Sequence, residues 1–379
     1  MNTKPTIVFL YFNGIHHLFH TAMTAMELAR LQSRYQILLL SSTPQNTSLL
    51  ERIRSIYPEV NCQIITLPPP FRFKYLNFKK KNYPRPKTMM NKAVCLLKNA
   101  RAIISTSHET SKHCKRLNLK TPVVFYQYHG CGDRKYSFSP TIGSFDHILV
   151  PGNYYRERLL AEKITAAENI SVVGYPKFDY LDKVKFSREN LFPNNRPIVL
   201  YTPHWDPRLN SFKTWGKQVF DYFAESKVYN LIFAPHIQMK HWKVKHGYDL
   251  NLEKYKAPNI FIDLGSISCV DMSYLNIADV YLGDVSSQVY EFVALRRRPV
   301  VFLNAHHVNW RDNPDYYFWE MGPVVEKFDE FEEKLRSALQ DKSFFKIQEQ
   351  RIGKYFALSD IPSSLKAAQF ILARIESNA

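Results

Sequence analysis

At 379 residues, with 45% hydrophobic and 22% charged side chains, the chain has the composition of a globular protein and the length for two domains of about 150–200 residues each. No apolar run approaches the roughly 18 residues that cross a bilayer, the opening MNTKPTIVFLYFNG lacks a signal-peptide pattern, and five scattered cysteines without CxxC spacing speak for reduced thiols and against a zinc site. A formal net charge of +17 points to an anionic partner: a membrane surface, a phosphate-rich substrate or nucleic acid.

The first elements in chain order are a buried strand at Thr6–Phe12, an Asn13-Gly14 turn, a helix over His20–Leu31 and a second strand at Tyr35–Ser41, a β-loop-α-β opening of the nucleotide-binding type. His16, His17 and His20 fall in and after the first loop; loop histidines are expected at the surface, with a substrate-facing role as the alternative. A helix at Asn46–Tyr57 and a strand at Cys62–Leu67 follow, stopped by Pro68-Pro69-Pro70.

Between Glu59 and Glu109 the chain has no acidic residue. Arg72, Lys74, Lys79, Lys80 and Lys81 interleave there with Phe71, Phe73, Tyr75, Phe78 and Tyr83. Rings that insert among headgroups and cations that meet anionic lipid make this a membrane or anion contact segment; a solvated basic loop is the plainer alternative. Nucleic acid is disfavoured because no binding-module signature accompanies the charge.

A helix at Thr88–Asn99 precedes two buried strands, Arg101–Thr106 and Pro122–Tyr128, the second ending in His129-Gly130-Cys131-Gly132-Asp133. A strand at His147–Val150, a helix at Tyr154–Glu162 and a strand at Ile170–Val173 lead into Gly174-Tyr175-Pro176-Lys177-Phe178-Asp179. The second half opens on Pro197–Tyr201 and the turn Thr202-Pro203-His204-Trp205-Asp206. It continues with a helix at Trp215–Ser226, a strand at Asn230–Ala234 ending in Pro235-His236, and a strand at Asn259–Asp263. A short helix at Asp271–Asn276 precedes Ala278–Asn304, which reads as one βαβ unit: strand, small polar turn Gly283–Ser287, helix to Leu295, strand Val300–Leu303. From Phe328 to Ile375 the pattern is helical, with breaks near Ser343 and Ile361-Pro362.

The expected fold is α/β and GT-B-like, two Rossmann-like βαβ domains facing across a cleft. The domains are an acceptor- and membrane-facing one over 1–180, a linker over 181–196, and a nucleotide-donor-binding one over 197–345. A closing helical segment, 346–379, has the first domain as the candidate surface to pack on. Chemistry in such folds gathers at the carboxyl ends of strands. The candidates there are His129 and His236, the Thr202-Pro203 turn, and Asp284, Ser286 and Ser287 with Glu291 one turn on. Serines at a helix N-terminus suit a phosphate, and a histidine suits proton removal from a hydroxyl. Asp-x-Ser-Ser before a helix is also an ordinary cap, and a strand-end histidine is often a core one. No HExxH-type spacing or acidic partner for Asp284 suggests a metal, and no cofactor is expected.

These pieces resemble a known family. Gln127-Tyr128-His129-Gly130, Gly174–Asp179, Tyr201-Thr202-Pro203-His204-Trp205, Ala234-Pro235-His236, Gly283–Ser287 and Phe292 with Arg298–Phe302 look like the CDP-glycerol glycerophosphotransferases of the wall-teichoic-acid primase and polymerase type, which have a GT-B fold. The resemblance implies that His129 deprotonates the acceptor hydroxyl and that His236 contacts the donor pyrophosphate. Ser286 and Ser287 would hold its phosphates, and Glu291 the ribose hydroxyls. It further implies a CDP-linked donor, a lipid-linked sugar or polymer acceptor in cell-envelope polymer synthesis, release of CMP, and an enzyme at the inner face of the cell membrane. The chain departs from the family pattern at His236-Ile237, where a histidine-proline pair is usual, at Val285, where an aromatic is usual, and at His204, where a smaller residue is common. A GT-B glycosyltransferase using a nucleotide sugar for surface polysaccharide is the alternative reading.

Overall fold

The computed structural model describes residues 4–68, 84–184, 186–189, 191–241 and 250–377. The expected membrane contacts Arg72, Lys74, Lys79, Lys80 and Lys81 lie outside the described residues. Two compact units form: Met1–Gly130 with Phe138–Val184 and Gly353–Ala379, and Cys131–Ser137 with Lys185–Ile352.

The first unit is a seven-stranded parallel sheet in the order β3-β2-β1-β4-β5-β6-β7. Its strands are β1 (Thr6–Tyr11), β2 (Gln36–Ser41), β3 (Cys62–Thr66), β4 (Ala100–Ser105), β5 (Val123–Gln127), β6 (His147–Val150) and β7 (Ile170–Val172). The apolar runs TIVFLY and QILLLS are buried along nearly their whole length, which a sheet covered on both faces requires. Helix α1 (Phe19–Leu31) is buried all round from Phe19 to Leu28. Its other neighbour is the last helix, Ser363–Ser377, which packs on it and presents Ala367, Ala368, Ile371 and Ile375 as buried residues. Small residues on both (Ala22 and Ala25 on α1) let the two backbones approach closely.

The motif Gly174–Asp179 fastens that helix. Asp179 accepts from the backbone N–H of Ser363 and Ser364, at 3.3 and 2.6 Å, as a side-chain cap borrowed from far upstream. Gly174 sits at φ +88°, where a side chain is strained, and a Cβ there would run into the Ser363 side chain. Tyr175 packs edge-on against Phe178 and Phe356.

In the second unit the sheet is six-stranded and parallel, β10-β9-β8-β11-β12-β13. The strands are β8 (Ile198–Thr202), β9 (Asn230–Phe233), β10 (Ile260–Ile262), β11 (Val280–Gly283), β12 (Val300–Leu303) and the two-residue β13 (Val324–Val325). Helix α2 (Phe212–Glu225) lays Phe212, Val219, Phe220 and Phe223 onto Val199, Tyr201, Leu231 and Phe233 to form the core on one face. Helix α3 (Gln288–Leu295) follows the serine turn and is anchored at its far end by Arg298. That guanidinium donates to the carbonyls of Leu275 and Ala278 at 2.7 Å and of Phe292 at 2.5 Å, and lies 3.6 Å over the Phe292 ring. Three carbonyls near helix ends need donors, and one planar fork supplies them.

Both sheets reverse direction between their first and fourth strands, at β1/β4 and at β8/β11. In an open α/β sheet that switch point leaves a crevice beyond the carboxyl strand ends, and each unit places its polar chemistry there.

Candidate functional sites at the two switch points

In the first unit the loops after β1, β4 and β5 bring together His16, His17, His20, His108 and His129. The rings of His17 and His129 are 4.0 Å apart, those of His16 and His17 4.5 Å, and those of His108 and His129 5.8 Å. His17 Nδ1 pairs with the Thr106 hydroxyl at 3.0 Å. The Tyr126 hydroxyl meets His108 Nε2 at 2.8 Å and His129 Nδ1 at 3.4 Å. Tyr175 lies edge-on to His20, 5.3 Å between centroids. The histidines of the first loop are therefore not surface residues: the loop folds inward as the 3-10 turn Ile15–His17, and His20 is 5% exposed in the first turn of α1.

Burial decides their charge. Desolvation holds His129 down at about 3 and His16 at about 4, and pushes His17 and His20 well below the ordinary histidine range. The neighbouring rings and Lys177 lower them further, since a second positive charge repels a proton. Lys177, itself only 5% exposed, comes from the Gly174–Asp179 motif and faces His16 and His20. Neutral imidazoles gathered beside one buried ammonium make a pocket of potential proton acceptors with a cation to hold an anion. Sequence reasoning gave no role to Lys177, His108 or Tyr126; the only signal was a lysine inside a motif otherwise apolar and turn-forming.

The second unit builds its site from hydrogen-bond donors instead. Asp284, at the end of β11, is 2% exposed. Its Oδ1 accepts from the backbone N–H of His204 at 2.9 Å and of Val285 at 2.6 Å; its Oδ2 accepts from Ser211 N–H at 2.7 Å and Ser211 Oγ–H at 2.8 Å. Burial raises its pKa and these donors oppose the rise. Trp319 Nε1–H donates to its carbonyl at 2.8 Å. With both oxygens engaged, Asp284 joins the turn after β8 to the turn after β11 and sets the start of α3.

There Ser286 is half-buried, its hydroxyl accepting from Gln288 N–H at 3.3 Å. Ser287 is the N-cap of α3, exposed and without a side-chain capping bond. The helix start thus carries one exposed and one half-buried hydroxyl at the positive end of the helix dipole, an arrangement suited to phosphate. Glu291 is buried one turn along α3. Thr202 is buried at the end of β8, and Pro203 offers its carbonyl to His236 N–H at 3.2 Å. His236 Nδ1 accepts from Gln238 N–H at 3.3 Å. The rings of His204 and His236 stand 6.3 Å apart. Thr202, Pro203, His236, Asp284, Ser286, Ser287 and Glu291 thus all belong to this unit and His129 to the other. Among the described residues no three His, Cys, Asp or Glu side chains converge as metal ligands.

Two parallel-sheet units of Rossmann order define a GT-B-like α/β fold. A family model described as CDP-glycerol:poly(glycerophosphate) glycerophosphotransferase matches residues 77–373, and the chain belongs to that family. No curated protein matches the sequence. Among solved structures, a variant of the wall teichoic acid polymerase TagF is similar at 15% identity and a TM-score of 0.64, over 99% of this chain and 89% of that one. The same polymerase variant soaked with CDPG gives 19% and 0.58 over the same shares. A putative UDP-N-acetylglucosamine 2-epimerase from Listeria monocytogenes gives 16% and 0.66, over 99% of this chain and 97% of that one. At these identities the likeness is one of fold, and it is the GT-B fold.

The histidine cluster predicts an acid-labile first unit. Because the folded-state pKa values lie below the ordinary 6.5, the unfolded chain binds more protons; the cluster's contribution to stability is complete above pH 6.5 and is lost as pH falls toward 4 and 3. The urea midpoint is expected to drop between pH 7.5 and pH 5, and to drop less in a His16→Asn/His129→Asn variant. A midpoint independent of pH over that range would contradict the burial of neutral rings.

Proposed function

We propose that the chain moves a glycerol-phosphate-like (polyol phosphate) group from a CDP-activated donor to a lipid-linked sugar or polymer acceptor in cell-envelope polymer synthesis, releasing CMP. The observation that carries this reading is the serine-bearing start of α3 at the second switch point, held by Asp284, in a chain of the CDP-glycerol glycerophosphotransferase family. The titles of the TagF structures, a wall teichoic acid polymerase and its CDPG soak, support a donor of this kind.

In the reaction an acceptor hydroxyl attacks the phosphorus that bears the polyol. The new P–O ester bond forms, the P–O bond to the bridging oxygen breaks, and CMP leaves with that oxygen. Ser286, Ser287 and the helix N-terminus stabilise the charge that builds on the phosphates. His236 contacts the same group, as the family resemblance implies. Glu291 takes the ribose hydroxyls. His129 removes the proton from the attacking hydroxyl. It is neutral and so able to accept one, but burial makes it a weak base at rest. A phosphate carried by the acceptor strengthens it, because an anion near the ring favours the imidazolium. Lys177 beside His16 and His20 supplies the countercharge for such a phosphate. The domains divide the work accordingly: acceptor handling in the first, donor binding in the second.

His129→Ala is expected to lower kcat by about 10²- to 10⁴-fold, the range for a lost general base, while CDP-glycerol binding stays near wild type. Ser286→Ala/Ser287→Ala is expected to show the opposite split, with donor affinity down about tenfold. Steady-state kinetics and calorimetric titration measure both. Full activity in His129→Ala would remove it from the chemistry.

The segment from Phe71 to Lys81 is proposed to hold the enzyme on an anionic membrane. No helix among the described residues is long and apolar enough to cross one. Sedimentation with phosphatidylglycerol vesicles should fall steeply between 50 and 300 mM salt, and should fall in Lys79→Gln/Lys80→Gln/Lys81→Gln. Equal binding by the variant, or binding insensitive to salt, would reject the electrostatic anchor.

A further inference from the structure

The second unit contains a pair of side chains that neither the family resemblance nor the reaction scheme uses. Arg134 belongs to the short segment Cys131–Ser137, which is part of the second unit although the chain on either side of it is part of the first. The segment is secured on its own side. Asp133 accepts from the Tyr290 hydroxyl at 2.5 Å and lies 4.0 Å from the Arg351 guanidinium. Gly132 is close enough to Ser287 that a Cβ on the glycine would meet the Ser287 Cβ at 3.5 Å. The loop therefore lies against the serine turn.

From this loop Arg134 Nη1 reaches to 3.3 Å from His204 Nε2. The other ring nitrogen of His204 is already committed: Nδ1 accepts the backbone N–H of Asp206 at 3.0 Å. A neutral imidazole with Nδ1 as acceptor carries its proton on Nε2. Arg134 and His204 therefore face each other donor to donor. Neither satisfies the other, but one oxygen placed within reach of both would satisfy both. The ring is held in this orientation by the Asp206 N–H bond to Nδ1 and by its burial, and its backbone is tied on both sides. His204 N–H donates to Asp284 Oδ1, and Asn210 Nδ2–H donates to the His204 carbonyl.

The neighbouring carboxylates are engaged elsewhere, Asp133 with Tyr290 and Arg351 as above. Asp206 pairs with Arg208 at 2.6 Å, and Asp315 accepts from Lys135 N–H at 3.2 Å. Among the described residues Arg134 makes no ion pair.

We propose that Arg134 and His204 form a two-donor clamp for a phosphate oxygen of a nucleoside-diphosphate-linked donor, a binding element in addition to the serine turn. This rests on the donor reading above. The imidazole supplies a fixed N–H beside the Arg134 guanidinium. His204 is held at about 3 by burial and then by Arg134, so it donates as a neutral ring, and a charge-assisted bond from Arg134 supplies most of the grip.

The test uses the full chain with inorganic pyrophosphate, orthophosphate and CDP-glycerol as calorimetric probes. Arg134→Gln and His204→Phe are each expected to weaken pyrophosphate and CDP-glycerol by about tenfold or more. The double variant should lose little beyond either single one, because both act on one oxygen. His204→Gln, whose amide N–H can stand in for Nε2–H, should recover part of the loss. Arg134→Lys keeps the charge and serves if the other arginine variant does not fold. Wild-type affinity for both probes in Arg134→Gln and His204→Phe would overturn the clamp. Pyrophosphate binding that depends on Arg134, with no binding of CDP-glycerol, would keep the clamp and overturn the CDP-linked donor. Orthophosphate binding as tightly as pyrophosphate would overturn the assignment to a diphosphate.

Discussion

One buried carboxylate organises the second unit. Asp284 takes donors from His204 in the turn after β8, from Ser211 at the start of α2 and from its own neighbour Val285, so two stretches of chain widely separated in sequence share one pair of oxygens. Such a group is expensive to bury and more expensive to abandon. Removing it would leave buried N–H groups without acceptors, at about 1–3 kcal/mol each. The consequence for function is indirect but large. The serine turn, the His204 ring and the start of α3 keep their relative positions because all are tied to the same atoms. Asp284 thereby acts as a positioning residue, with its own oxygens turned to the protein.

The first unit uses the equivalent place in its sheet differently. Among the described residues its switch point gathers a set of imidazoles, one tyrosine hydroxyl and a buried lysine. The second unit offers N–H and O–H donors whose state does not depend on pH near neutrality; the first offers groups whose protonation answers to whatever charge arrives. That contrast suits a reaction in which one partner is held by its phosphates and the other must lose a proton. The Gly174–Asp179 motif links this chemistry to the fold. The same six residues cap the last helix through Asp179 and carry Lys177 to the histidines.

Much of the fold was legible because buried parallel strands are written as short apolar runs. His147–Val150 and Val300–Leu303 have their expected bounds, and the other strands except β13 lie within a residue or two of theirs. The two-residue β13 was not legible, since two valines carry no periodicity, and the helix Thr110–Arg116 was missed because its sequence TSKHCKR is almost wholly polar. At the site, the serine turn and the strand-end histidines could be picked out from strand–turn–helix order. Burial could not. His16, His17 and His20 read as surface residues because a loop histidine usually is one, and only the packing of three strand-end loops against each other makes them a cluster. Arg134 was equally silent, being a single basic residue in a glycine-containing loop. Its meaning depends on a ring nitrogen whose proton is assigned by a backbone N–H elsewhere.

The reaction class turns on which bond is broken. Phosphorus NMR of the enzyme with CDP-glycerol and a lipid-linked acceptor reads that directly. The expected result is loss of the diphosphate resonances with matched growth of one phosphomonoester, CMP, and one new phosphodiester on the acceptor. Turnover of a nucleotide sugar that releases a nucleoside diphosphate, with CDP-glycerol left intact, would contradict it and make the chain a glycosyltransferase.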